Sequence, residues 1–113
     1  MKTRQLKVLS ILICLFLTTS LSLADDINYL NEAISNTAES IVEGRAGDAD
    51  DMLEYLQNAR DYAISAQANH KNKHIKIAIH HLNSAISHAS KTDLSGATKD
   101  AGLALLHLQY VDR

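Results

Sequence analysis

The chain has 113 residues, with 11 Lys or Arg against 13 Asp or Glu, six histidines and a single cysteine. That length holds one domain at most, and the charge balance argues against nucleic acid as a partner, because no basic patch exists to neutralise phosphates. With no proline, four glycines and abundant Ala, Leu, Ile and Ser, the composition favours helices joined by short connections.

The first segment does not read as fold. Lys2, Arg4 and Lys7 make a positive start, Val8 to Leu17 a short apolar run, and Ser22-Leu23-Ala24 offers small residues where a signal peptidase reads. This pattern predicts a secretory signal peptide over 1–24, too short and wrongly flanked for a permanent membrane span. Cys14 is no lipobox cysteine, since Ile13 precedes it where a small residue is needed. Cleavage after Ala24 leaves 89 residues, Asp25 to Arg113, with no thiol and with 8 basic against 13 acidic groups, a balance of −5. The expected location is the periplasm or the exterior. A chain of that size has a small core, so regular helix packing must supply the stability.

Helix one is expected to begin at Asp25/Asp26, which suit an N-cap and the positive end of the helix dipole. Its stripe is Ile27, Leu30, Ile34, Thr37 and Ile41, with Gly44 as a C-terminal stop and Gly47-Asp48 as the turn and next cap. Helix two carries Ala49, Met52, Leu56, Ala59, Ala63 and Ala66 at seam spacing, and the polar run Asn69 to Lys73 marks the second turn. Helix three runs to about Ser90 with the seam Ile75, Ile79, Leu82, Ile86 and Ala89. Lys91-Thr92-Asp93 makes the third turn, with Asp93 as cap. Helix four then runs from Leu94 to about Val111, with Leu94, Ala97, Ala101, Ala104, Leu108 and Val111 inward. Four helices with short loops and no period-two alternation predict an all-α, up-down-up-down antiparallel four-helix bundle over 25–113. A weak internal repeat, Leu30 to Ser35 against Leu82 to Ser87, is compatible with a duplicated hairpin.

Chemistry concentrates in Asn69 to Lys91, which holds His70, His74, His80, His81 and His88; His107 is the sixth. On the seam just given, His74, His81 and His88 share one line of the outer face, one heptad apart. Seven helical residues rise about 10.5 Å, so these three cannot share one ion. His70 and His74 are four apart, and on a continuous helix that spacing converges two imidazoles on one metal. They are the best single site by spacing. Binding there weakens as pH falls through the usual imidazole range around 6.5. The blander reading is that outward histidines are ordinary polar surface. Asp48-Ala49-Asp50-Asp51 lacks the glycine and distant glutamate of a calcium loop, and acidic residues at a helix start are stabilising in their own right.

Tyr55 and Tyr62 lie beside the helix-two seam and read as edge packing. Leu103, Leu106 and Tyr110 lie opposite the helix-four seam. They mark either a dimer or partner contact or a more deeply buried helix. Haem is not expected, because there is no Cys-x-x-Cys-His motif, Met52 is the only Met after cleavage and the histidines point outward. No paired carboxylates, nucleophile or phosphate-cradling loop can be assembled, so no enzyme is expected.

Several stretches resemble the periplasmic small metal-binding protein family: Ile41 to Asp48, Asn69 to His74, His81 to His88, Ala97 to Ala101 and His107-Leu108. Together they extend the resemblance over nearly all of Asp25 to Arg113. It implies a short, secreted, histidine-rich four-helix bundle that binds copper or other divalent ions through heptad-spaced histidines. It marks His70, His74, His81, His88 and His107 as retained family histidines. Asp48, Tyr55, Tyr62 and Asp100 stand where family histidines are expected, and between Asp25 and His70 there is none. The implied function is low-capacity buffering or scavenging of copper or a similar ion. The rival is a helical interaction module acting through Leu103, Leu106 and Tyr110.

Overall fold

Three helix starts are set by a side chain that replaces a missing backbone partner. In the computed structural model, which describes residues 28–111, α1 covers 28–46, α2 Ala49–Asn69, α3 Lys73–Ser90 and α4 Leu94–Gln109. The expected signal peptide and Asp25/Asp26 cap, like Ile27, lie outside the described residues. Asp48 accepts from the Asp51 N–H, Asn72 from the His74 N–H and Asp93 from the Gly96 N–H, each satisfying an orphan donor of the first turn. Among the described residues every regular element is a helix. None is long and apolar enough to cross a membrane.

Two of the three turns are built alike. After α1, the Asp48 N–H bonds the Glu43 carbonyl at 3.0 Å and the Gly47 N–H bonds Gly44 at 3.3 Å, with Gly47 at φ 84°. After α3, the Asp93 N–H bonds His88 at 2.9 Å and the Thr92 N–H bonds Ala89 at 3.0 Å, with Thr92 at φ 60°. Both are Schellman ends, and in both the residue that closes one helix caps the next. Gly44 is therefore not the stop of α1. The helix continues to residue 46, and Gly44 is buried where α1 meets its neighbours. A Cβ there would meet Thr98 Oγ1 of α4 at 2.5 Å and Met52 Sδ of α2 at 2.8 Å.

The core is narrow and alanine-rich. Met52, Leu56, Ala59, Ala63 and Ala66 of α2 are buried, as are Ala97, Ala101 and Ala104 with Leu108 of α4, all at the expected positions. Leu94, expected inward, is only half-buried. On α3 the buried line is Ile75, Ala78, Leu82, Ala85 and Ala89, not the expected Ile75, Ile79, Leu82, Ile86 and Ala89. On α1 it is Leu30, Ala33, Thr37 and Ser40. In both helices the small residue takes the closest contact while Ile34, Ile41, Ile79 and Ile86 pack along its edge. Close helix approach rewards small side chains, and the isoleucines still bury most of their surface from the flank. The buried hydroxyls of Thr37 and Ser40 donate to the carbonyls of Ala33 and Thr37, each at 2.6 Å, so neither is left unpaired.

Tyr29 of α1 packs on Tyr62 of α2 at 6.4 Å between ring centroids, while Gly44 lies beside Met52; these two helices run antiparallel. So do α3 and α4, as their side-chain pairs make plain below.

Candidate metal centre

The shift of the α3 seam by one position re-aims its histidines. With Ile75, Ala78, Leu82, Ala85 and Ala89 as the core line, His74, His81 and His88 each precede a seam residue and flank the core. They do not lie on the outer face. On α4, Asp100 and His107 hold the same relation to Ala101 and Leu108, and Asp93 lies one heptad before Asp100. In an antiparallel pair such flanking positions face one another across the interface. His74 therefore meets His107, His81 meets Asp100, and His88 meets Asp93. All three histidines and His107 are half-buried, correcting the expectation of an outer, solvated line.

At one end of this seam, the Nδ1 atoms of His74 and His107 lie 3.1 Å apart, with the rings stacked at 5.4 Å between centroids. His81 also stacks on His107, at 6.0 Å, and Tyr110 packs against His74 at 5.9 Å. Two nitrogens bound to one ion at about 2.0–2.1 Å, with an angle of about 90–110° between them, are about 2.9–3.4 Å apart. The observed separation falls inside that span. The Asn72 side chain, by capping the His74 N–H at 2.8 Å, fixes the first turn from which that imidazole projects.

Carboxylates enter toward the other end. His81 Nδ1 lies 3.6 Å from Asp100 Oδ1. His88 Nδ1 is 2.8 Å from Asp93 Oδ2, and its Nε2 is 3.5 Å from Asp100 Oδ2. Ser84 donates its hydroxyl to Asp100 Oδ2 at 2.7 Å. His80 is exposed and meets His81 edge to face at 5.8 Å between ring centroids.

His70 stands apart from this line. It is the C-cap of α2, extended at φ −146° and ψ 92°, and exposed. The chain is non-helical from His70 to Asn72 before α3 begins at Lys73, so His70 and His74 are not on one continuous helix. The i, i+4 geometry that paired them from spacing does not arise.

A second group of ligand atoms gathers at the α1–α2 turn. Glu43, Asp48 and Asp51 place one carboxylate oxygen each within 4.8 Å of one another. Mutual repulsion raises the Asp51 pKa above its ordinary value; Asp48 contributes most, followed by its hydrogen bond, desolvation, Glu54 and Asp50. Asp48 also caps α2, and Asp51 lies in its first turn at the positive end of the helix dipole, so the placement of these two has a structural reason. An oxygen-only set suits hard cations rather than copper. Glu43 escaped notice in the sequence because it precedes the turn; only the reversal of the chain brings it to Asp48.

Leu103 is half-buried, whereas Leu106 and Tyr110 are 45% and 61% exposed. The outer apolar stripe is thus partly real, with Tyr110 lying over His74.

A search of curated proteins finds no match for the chain. A family model described as "Small metal-binding protein" matches residues 2–111. Because that match spans all four helices, the chain belongs to the small metal-binding protein family.

Proposed function

We propose that this protein buffers or scavenges copper, or a similar divalent ion, in the periplasm, and that the metal sits on the α3/α4 seam with His74 and His107 as its inner ligands. In this reading residues 1–24 are a signal peptide and 25–113 form an up-down-up-down antiparallel bundle. The observation that carries it is the 3.1 Å separation of the two Nδ1 atoms, supplied by different helices and therefore held by the packing of the core. The set of donors fits the ion: imidazole suits copper, and copper stands highest in intrinsic affinity among the divalent first-row metals. His81, stacked on His107, is near enough to supply a third nitrogen after a rotamer change. With two or three protein ligands and water completing the shell, affinity lies well below that of a closed four-ligand site, which suits a buffer that must release its cargo.

Copper titration by calorimetry of the chain beginning at Asp25 tests this. His74→Ala/His107→Ala weakens copper binding by at least about tenfold, since it removes both inner nitrogens of an open site. His70→Ala leaves the affinity unchanged. Equal affinity in the double variant and the wild type overturns the assignment, and absence of binding by the wild type overturns the function.

A further inference from the structure

The first hairpin holds a pair of rings where the second holds imidazoles. The shared turn design carries Gly47 onto Thr92 and Asp48 onto Asp93. The same step carries Leu30, Ala33, Leu56 and Ala63 onto Ile75, Ala78, Ala101 and Leu108, all of them buried. In that register Tyr29 falls on His74 and Tyr62 on His107. The ring pair thus recurs, with the tyrosine centroids 6.4 Å apart and the rings tilted by 34°. A phenol has no ring nitrogen for a metal. What two phenols offer is the electron-rich faces of their rings.

These rings border a cleft of about 270 Å³, whose other lining residues are Asn58, Asp61 and Ser65. Asn58, Asp61, Tyr62 and Ser65 stand at i, i+3, i+4 and i+7 of α2, which makes them one continuous stripe of that helix. The volume is just under the about 300–1,000 Å³ of ordinary small-molecule pockets, so the cleft suits a small ligand. Ring centroids 6.4 Å apart leave positions within about 6 Å of both, the reach of a cation–ring contact. Asp61 supplies the opposite charge. Its neighbour Arg60 places Nε and Nη2 at 3.4 Å from Oδ1 alone, a long surface contact that contributes little, and the Asp61 side chain is 69% exposed. The wider field agrees. Residues 28–69 carry eight carboxylates against two arginines and no lysine, whereas 70–111 carry five lysines against two carboxylates. Cations are therefore drawn to the first hairpin.

We propose that the Tyr29/Tyr62 cleft binds a small organic ammonium ion, its alkylated nitrogen held against the two rings and its charge balanced by Asp61. Asn58 and Ser65 offer hydrogen bonds to a polar tail such as a hydroxyl. Aromatic rings beside a carboxylate favour an alkylated ammonium, whose methyl groups rest on the ring faces while its charge is felt through them. This goes beyond the metal reading and uses none of its residues, so either can fail alone.

The probe is choline chloride, titrated into the purified protein at low ionic strength and followed by calorimetry and by the NMR ring resonances of the tyrosines. The resonances of Tyr29 and Tyr62 shift and saturate together, while those of Tyr55 and Tyr110 stay in place. The uncharged isostere 3,3-dimethylbutan-1-ol, which has the same shape without the charge, binds at least about tenfold more weakly. Tyr62→Leu, which keeps an apolar side chain but removes the ring, weakens choline binding by about tenfold or more. Tyr62→Phe keeps the ring and stays within about twofold of wild type. Asp61→Asn, at an exposed position where the fold is not at stake, weakens binding by about three- to tenfold. Circular dichroism confirms native helicity of each variant, and if Tyr62→Leu does not fold, Asp61→Asn and the isostere decide. Shifts that do not saturate, an isostere that binds as tightly as choline, or an Asp61→Asn protein with unchanged affinity each overturn the site.

Discussion

Thr92 holds a left-handed backbone, φ 60°, at the position where the matching turn after α1 uses Gly47. A β-branched side chain in that region is strained, and the Schellman end of α3 maintains it because the Asp93 and Thr92 N–H groups must reach back to His88 and Ala89. Thr92→Gly is therefore expected to stabilise the protein by about 1 kcal/mol. For a domain this small that is a rise of about 4–8 °C in melting temperature, measurable by calorimetry. Gly96, four residues on, has the opposite logic. Its backbone is ordinary, and its value is the missing Cβ that leaves space for His88 and Asp93. Single residues were partly legible in the sequence. The caps Asp48 and Asp93 could be named from type and position, because a short carboxylate ahead of a helix has a local role. The use of Asp93 by His88 could not be read from local rules.

Helix pairing is where the histidines acquire a geometry. As the α3 index rises by seven, from His74 to His81 to His88, its partner on α4 falls by seven, from His107 to Asp100 to Asp93. That ladder was present in the spacing of both helices. It went unread because the α3 seam was centred on Ile79 and Ile86 instead of Ala78 and Ala85. Periodicity identifies a helix face but weighs large apolar residues most, whereas tight packing centres on the small ones. The same packing explains Gly44, which lets α1 approach Met52 and Thr98. Gly44→Val is expected to cost about 1–3 kcal/mol by overpacking that contact. Gly102, with open space around its Cβ position, serves as the control: Gly102→Ala is expected to gain up to about 1 kcal/mol from helix propensity. Urea unfolding midpoints of the two variants should move in opposite directions.

Across the whole molecule the two hairpins share a turn design but differ in chemistry. The α1/α2 hairpin has no histidine before the C-cap His70 and gathers carboxylates at its turn, while the α3/α4 hairpin carries the imidazole seam. Under the proposed processing the chain loses its first 24 residues, and with them Cys14, Phe16 and three positive charges. Mass spectrometry of exported protein is expected to show a chain beginning at Asp25; a retained segment or a lipid on Cys14 contradicts the proposed processing. Composition, cap residues and the period of apolar positions determined by themselves that this chain is helical and where its turns fall, because both depend on neighbours a few positions apart. Only the tertiary structure decided which histidines meet. His70 drops out because α2 ends beneath it, and His107 and Asp100 enter because α4 folds back along α3. The small core residues that let these helices approach set the rotation of each, and a rotation by one residue is enough to turn a solvated face into a shared seam.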